Sequence, residues 1–487
     1  MSRNKWKIIF FFSLFTLLGW GFYMFAEMGD RVLETETEIG NNEGDTNSLP
    51  IPKLLKDRNP DPDVAEFYLE AQHATKEFFT GEKTNTYGYN GNYLGPIIQV
   101  RNGEKVKIKV KNELDDPTTV HWHGLEVPGE MDGGPHQEIY PGQTWEPNFT
   151  INQPAATLWY HPHLLHKTGE QVFKGLAGLF YIEDEVSDDL NIPNEYGEND
   201  IPLVVQDRRF TSDNQFDYNI GMRDMMTGIL GDTILVNGAI QPSLEISEAK
   251  VRFRILNGSN ARIYNFYLSD DMPFYQIASD GGFLESPVKL SNLELSPGER
   301  AEVIVDFSKA DIGDQIELRS DDFEVMRFKV KSKNNNIDLP QELVKINKIP
   351  EEQATVKRSF DFQGMGPMVS INGKQFNMER IDEHLDLNAT EIWEVTNSAS
   401  GMGGMGRMGN VGHPFHAHGT QFQILERNGQ TPPPNERGWK DTFLVYPGEK
   451  VKVIAQFKYP GMFMYHCHIL EHEDAGMMGQ FQVGSGK

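Results

Sequence analysis

Cysteine is almost missing from this chain: Cys467 is the only one among 487 residues, which excludes an intrachain disulfide. Basic residues are also short, 45 Lys and Arg against 71 Asp and Glu, for a formal net charge of −26. Such a balance argues against nucleic acid as a partner, because phosphate binding needs basic stripes. It suits a well-solvated surface that attracts cations. Sustained helical periodicity is lacking too, whereas 46 Gly and 27 Pro favour turns. Histidine disappears between His166 and His384, although the chain holds 14.

The long apolar run is residues 8–26, behind Arg3, Lys5 and Lys7. It exceeds the roughly 7–15 residues of a secretory apolar core and approaches the roughly 20 that span a bilayer. Basic flanks stay in the cytoplasm. The expectation is an uncleaved signal anchor in preference to a cleaved signal peptide, with the remaining chain extracytoplasmic, in a periplasm or on a cell surface. Residues 27–60 are acidic, polar and proline-containing and read as a flexible stalk, completing an N-terminal region of residues 1–60.

Beyond residue 60 one pattern is written three times. Lys105-Val-Lys-Ile-Lys-Val-Lys-Asn112, Lys250-Val-Arg-Phe-Arg-Ile-Leu-Asn257 and Thr390-Glu-Ile-Trp-Glu-Val-Thr-Asn397 alternate apolar and polar residues, the period-2 mark of half-buried strands. Downstream of each stands Pro141-Gly142, Pro297-Gly298 or Pro447-Gly448; upstream stand stretches beginning at Gly95, Asn237 and Asn372. Short strands with Gly/Pro turns indicate an all-β chain of sandwiches or barrels. The repeats predict domains at 61–186, 187–338 and 339–487.

Ten histidines fall in four clusters: His121-Trp-His123, His161-Pro-His163, His413-Pro-Phe-His416-Ala-His418 and His466-Cys467-His468 with His472. Residues i and i+2 of a strand share a face, so the pairs 121/123, 161/163, 416/418 and 466/468 each offer two imidazoles side by side. Eight imidazoles exceed the three or four ligands of one zinc. Imidazole without carboxylate favours copper, zinc, iron or nickel over calcium or magnesium. The middle repeat, with Arg262-Ile-Tyr264 where the first has His-Trp-His, reads as a spacer without metal.

The last cluster separates the metals. With His466 and His468 facing one way, Cys467 faces the other, toward His472, Met477 and His413. Two His, one Cys and a weak axial Met make the ligand set of a blue-copper electron-transfer centre. A nucleophilic cysteine is the lesser reading, because imidazoles on the opposite face do not act as its base. A centre that accepts electrons singly, covalently adjacent to one that stores several, suits the four-electron reduction of dioxygen to water.

At residues 121–134, 415–425 and 466–478 the chain resembles the multicopper oxidases, with bacterial cuprous oxidases, laccases and bilirubin oxidases most similar in motif. The resemblance implies three cupredoxin-like Greek-key β-sandwich domains and four copper ions. Type 1 copper falls to His413, Cys467, His472 and Met477, and type 2 to His121 and His416. The type 3 pair falls to His123, His161, His163, His418, His466 and His468. Asp132 and Glu473 match acids that supply protons. Non-enzymatic relatives have lost their ligands, whereas this chain keeps each one; a copper-binding or storage protein without turnover is the alternative.

The reductant is read from methionine. Met402, Met405 and Met408 lie in a Gly-rich segment just before His413, and Met222, Met225, Met226, Met365 and Met368 form further groups. Thioethers select Cu(I), and they also line apolar sites. The expectation is therefore cuprous oxidation or laccase-like oxidation of phenols and aromatic amines, with Met402, Met405 and Met408 as substrate contacts. His73, His136, His166 and His384 carry no functional expectation.

Overall fold

A computed structural model describes residues 48–398 and 411–484. The apolar stretch 8–26 and Met402, Met405 and Met408 lie outside the described residues. Among the described residues, no helix is long and apolar enough to cross a membrane.

The described residues are mostly β, in six sheets. Two take their strands from residues 64–183, two from 200–334 and two from 356–483. Each pair of sheets faces inward over one apolar cluster, around Phe67, Ile108, Trp122 and Phe180 in the first, Phe253, Phe266, Val303 and Phe328 in the second, and Trp393, Phe415, Tyr465 and Phe481 in the third.

Each Asn-terminated strand takes the same place. Lys105–Glu113, Lys250–Asn257 and Thr390–Asn397 each run parallel to an earlier strand (Val64–Phe79, Asp200–Arg208 and Val356–Gln363) and antiparallel to one that follows the Pro-Gly turn. The three Asn side chains perform one task. Asn112 Nδ2 donates to Ile139 O, Asn257 Nδ2 to Leu295 O and Asn397 Nδ2 to Val445 O, at 2.7, 2.8 and 3.0 Å. Gly142, Gly298 and Gly448, all at positive φ, return their N–H to the backbone carbonyl of the same Asn. A glycine suits this turn because other residues reach that φ only with strain.

Three expectations change. The strand Lys250–Asn257 is buried on both faces, not half-buried: Val251, Phe253 and Ile255 face the apolar cluster, while on the opposite face Arg252 and Arg254 pair with Asp200, Glu302 and Glu183 under cover of the first stretch. Charge is tolerated there because each guanidinium is paired and hydrogen-bonded. In the first repeat, the counterpart of Asn237 and Asn372 is Asn90, five residues before Gly95: all three accept a strand N–H through the side-chain oxygen and donate Nδ2 to a carbonyl two residues earlier in that strand. The predicted stalk does not run to residue 60. Leu49 is buried in the second apolar cluster, Leu49 N–H donates to Ser243 O at 2.9 Å, and Leu55 N–H donates to Ile97 O at 2.7 Å. An apolar anchor and satisfied backbone groups fix residues 48–55 against two sheets.

Candidate metal centre

The twelve sequence-predicted donors are all buried and gather near one another. One group is His413, Cys467 and His472: Cys467 Sγ lies 3.3 Å from His413 Nδ1 and 3.9 Å from His472 Nδ1. Met477 is buried in the same apolar cluster, and its carbonyl accepts from Cys467 N–H at 3.0 Å. The other group is the eight imidazoles of the four pairs. His163 Nε2 and His418 Nε2 lie 3.1 and 3.2 Å from His466 Nε2, and His161 Nε2 lies 3.4 Å from His123 Nδ1. His121 stacks on His418 and His123 on His416, centroids 3.7 Å apart in both.

Register produces this arrangement. His121–His123 pairs antiparallel with Ala156–His161, setting His121 opposite His161; His413–Ala417 pairs antiparallel with Gly461–Cys467, setting His416 opposite His466. Each strand contributes inward imidazoles, and the two ladders meet across the first and third pairs of sheets. Cys467 turns away from the face of His466, into the apolar interior beside Phe415.

The rings are oriented by acceptors behind them. His121 Nδ1 lies 3.0 Å from Asp132 O, His161 Nδ1 2.7 Å from Pro162 O, His416 Nδ1 2.8 Å from Asp441 O and His466 Nδ1 3.1 Å from Cys467 O. His418 Nδ1 lies 2.7 Å from Asp132 Oδ2. Assigned from these partners, the proton sits on Nδ1 and each ring turns the Nε2 lone pair inward. His123 is reversed: its Nε2 lies 3.0 Å from Asp441 Oδ1, so Nδ1 faces the cluster.

Protonation cannot relieve the crowded lone pairs. Burial, then neighbouring imidazoles, hold His123, His161, His163, His416, His418 and His466 well below the usual histidine range, and burial brings His468 down to about 3 and His472 to about 4. Burial likewise pushes the Cys467 thiol up, which argues against a free nucleophile. His121 Nε2, His416 Nε2 and both nitrogens of His468 have no hydrogen-bond partner. Each such buried orphan costs about 1–3 kcal/mol, a cost that coordination removes. Imidazole with one thiolate is a donor set for copper.

Sequence comparison decides the family. Multicopper oxidase family profiles match residues 70–187 and 345–487, the two histidine-bearing stretches. A multicopper oxidase of Staphylococcus haemolyticus is 43% identical over 444 residues, covering 91% of this chain and 94% of its own. This chain belongs to the multicopper oxidase family.

Among solved multicopper oxidase structures, the laccase from Pediococcus acidilactici aligns with a TM-score of 0.85 and 41% identity, covering 92% of this chain and 95% of its own. The fold is thus cupredoxin-like. The cell division protein FtsP of Escherichia coli is also similar, 34% identical over 463 residues, covering 90% of this chain and 93% of its own.

Both predicted acids of this multicopper oxidase touch the cluster. Asp132 joins histidines of both outer stretches, through its carbonyl to His121 and its carboxylate to His418. Gly133, at positive φ, permits that approach, since a side chain there would strike Val120 O. Glu473 places Oε2 at 3.2 Å from His466 Nδ1 and Oε1 at 3.5 Å from His163 Nδ1, and burial raises its carboxyl well above the usual range.

Sequence reasoning missed Asp441, Thr442 and Arg300. Asp441 orients His123 and His416, Thr442 Oγ1 lies 3.1 Å from His123 Nε2, and Arg300 NH1 and NH2 donate to the two Asp441 oxygens at 2.7 and 2.6 Å. No local motif marks these residues; Asp441 meets His123 across 318 residues of chain. Arg300 adds a role to the middle stretch: it grips the carboxylate that orients His123 and His416. Among the methionine groups, Met225 and Met226 turn their carbonyls toward the His472 ring, and the Met226 thioether lies beside Gly366. Met222 and Met368 are exposed nearby in sequence on the two short helices Met222–Thr227 and Gly366–Met368 that pack together. His73, His136, His166 and His384 stay outside both donor groups.

Proposed function

We propose that this protein is an oxidase that takes electrons singly from a reductant and passes four of them to dioxygen, releasing water. His413, Cys467, His472 and Met477 would hold one copper ion; His121 and His416 a second; His123, His161, His163, His418, His466 and His468 a third and fourth. Copper bound in these sets supplies the one-electron redox chemistry and the binding of dioxygen. The observation that carries the reading is the Cys467 zigzag: its sulfur belongs to one donor group while its covalent neighbours His466 and His468 belong to the other. That adjacency gives electrons a short through-bond route between the two.

The chain's own groups supply the remainder. Glu473, held protonated by burial, stands ready to give a proton beside His163 and His466, and the Asp132 carboxylate, which accepts from His418 Nδ1, relays protons beside His418 and His121. Reduction of dioxygen to water consumes protons, so acids within hydrogen-bond reach are required. Full burial of the eight imidazoles excludes bulk water and so limits escape of part-reduced oxygen. We assign the three pairs of sheets to cupredoxin-like Greek-key domains at 61–186, 187–338 and 339–487, and the active chain to an extracytoplasmic place reached through residues 8–26.

Cuprous ion and phenols or aromatic amines are the two reductant classes. Methionines gather on the two packed helices Met222–Thr227 and Gly366–Met368, the first of which turns its Met225 and Met226 carbonyls toward the His472 ring, and they favour Cu(I); the laccase neighbour favours phenols. Oxygen uptake by copper-loaded protein, with Cu(I) and with a phenol, tests the proposal. One O2 consumed per four electrons, without peroxide, supports it; no uptake with either reductant overturns it in favour of copper binding without turnover. Equal cuprous rates after Met402, Met405 and Met408 are changed to Leu would remove that segment as a substrate contact.

A further inference from the structure

His472 stands on the short helix Leu470–Asp474, and the residue before it, Glu471, is 5% exposed yet joins neither donor group. Its carboxylate is occupied elsewhere. Oε1 accepts from Asn260 Nδ2 at 2.7 Å and from the Tyr218 hydroxyl at 3.2 Å; Oε2 accepts from Ile229 N–H at 3.0 Å. Leu470 N–H adds a bond to Asn260 O at 3.0 Å. All these partners come from the histidine-free middle stretch.

Two of them, Tyr218 and Ile229, bracket one excursion of the chain that includes the helix Met222–Thr227. That excursion carries the Met225 and Met226 carbonyls that face the His472 ring. Its apolar anchors sit at its two ends, where the Tyr218 ring packs on Phe173 and Ile229 is buried; between them Ile220 is 44% exposed and Met222 78%. Polar ties hold it as well, namely the two bonds that Tyr218 and Ile229 make to Glu471 and the Arg209 NH1–Asp224 Oδ1 pair at 2.9 Å. Two glycines make room for the junction. A side chain at Gly228, at positive φ, would strike Ala261 and Ile469 and press on Glu471 Oε2; one at Gly169 would strike the Tyr218 hydroxyl.

We infer that Glu471 is a positioning residue that latches residues 218–229 over His472 and thereby selects which reductants reach that ring. The inference rests on the reading of His472 as a ligand of the electron-accepting copper. A latched segment admits a small cuprous ion between thioethers and holds back a bulky phenol. Glu471 takes no part in the redox chemistry.

Glu471→Gln is the test, because the amide keeps the shape but turns an N–H toward groups that are themselves donors. Hydrogen exchange, read by mass spectrometry in both metal-free and copper-loaded protein, should rise about tenfold or more in peptides covering 218–229. Exchange in the core strand Lys250–Asn257 should stay unchanged, which separates a released latch from general loosening. With loaded enzyme, the ratio of kcat/KM for a bulky phenol to that for Cu(I) should rise about threefold or more. Tyr218→Phe removes one donor of the three and should give a smaller rise in the same peptides; it alone decides if the Gln variant fails to fold. Unchanged exchange at 218–229 overturns the latch whatever the activity does. Raised exchange with an unchanged reductant ratio overturns the selection role. Because exchange needs no turnover, a protein that oxidises nothing would sink the oxidase reading and leave the latch to be judged separately.

Discussion

The middle stretch and its two neighbours share one backbone plan and use it for opposite chemistry. All three close the same Asn-to-carbonyl bridge onto a Pro-Gly turn. The outer stretches fill the facing surfaces with neutral imidazoles, whereas the middle one fills its own with charged pairs such as Arg252–Glu302 and Arg254–Asp200 and reaches across to the third through Arg300–Asp441. The difference shows how a stretch without histidine still shapes the histidine cluster: its Arg300 holds the Asp441 carboxylate that orients His123 and His416.

The comparison breaks most sharply at sulfur. Cys467→Ser should remove the blue absorption and lower oxygen uptake by about a hundredfold or more while copper stays in the imidazole group; visible spectra with metal analysis read the result, and retained colour would contradict the assignment. Acid comes next. In metal-free protein His123, His161, His163, His413, His416, His418, His466, His468 and His472 have folded pKa values below the unfolded value, so their contribution is complete above about pH 6.5 and drains away as pH falls. Each should then cost about 1.4 kcal/mol per pH unit, down to about pH 3 for His468 and about 4 for His472. Urea denaturation at pH 7.5, 6.5 and 5.5 should show a steep loss below 6.5, and a flat profile would deny the neutral, crowded cluster.

Arg300→Met tests the middle stretch directly. It leaves Asp441 buried without its cation and should cost about 3–5 kcal/mol in metal-free protein, measured by chemical denaturation; a cost under about 1 kcal/mol would return the middle stretch to a spacer. Asp132→Asn should slow oxygen uptake about 10- to 100-fold while anaerobic bleaching of the blue centre by reductant keeps its rate. Slowed bleaching would place Asp132 on the wrong side of the reaction. The smallest effect belongs to the shared bridge: Asn112→Ala, Asn257→Ala and Asn397→Ala should each cost about 1–3 kcal/mol, and widely unequal values would deny that the three frames are equivalent.

The donors were legible because metal chemistry writes itself locally. Four His-x-His pairs and one Cys between two histidines need no distant partner to be noticed, since strand periodicity already sets their faces. Asp441 and Arg300 were not legible, because each looks like an ordinary surface charge until the fold buries it. The packed run at 48–55 was misread for a related reason: two prolines and neighbouring acids suggest solvated chain, and Leu49 reveals its role only when a sheet lies beneath it.

By itself the sequence determined the strand plan, the two groups of donors, the direction of the Cys467 sulfur and the family they resemble, all consequences of spacing along a pleated backbone. Tertiary structure alone decided which nitrogen of each ring faces inward, which carboxylates orient the rings, and that the middle stretch grips both donor groups. Those properties depend on hydrogen bonds and burial between residues hundreds of positions apart, where local periodicity carries no information.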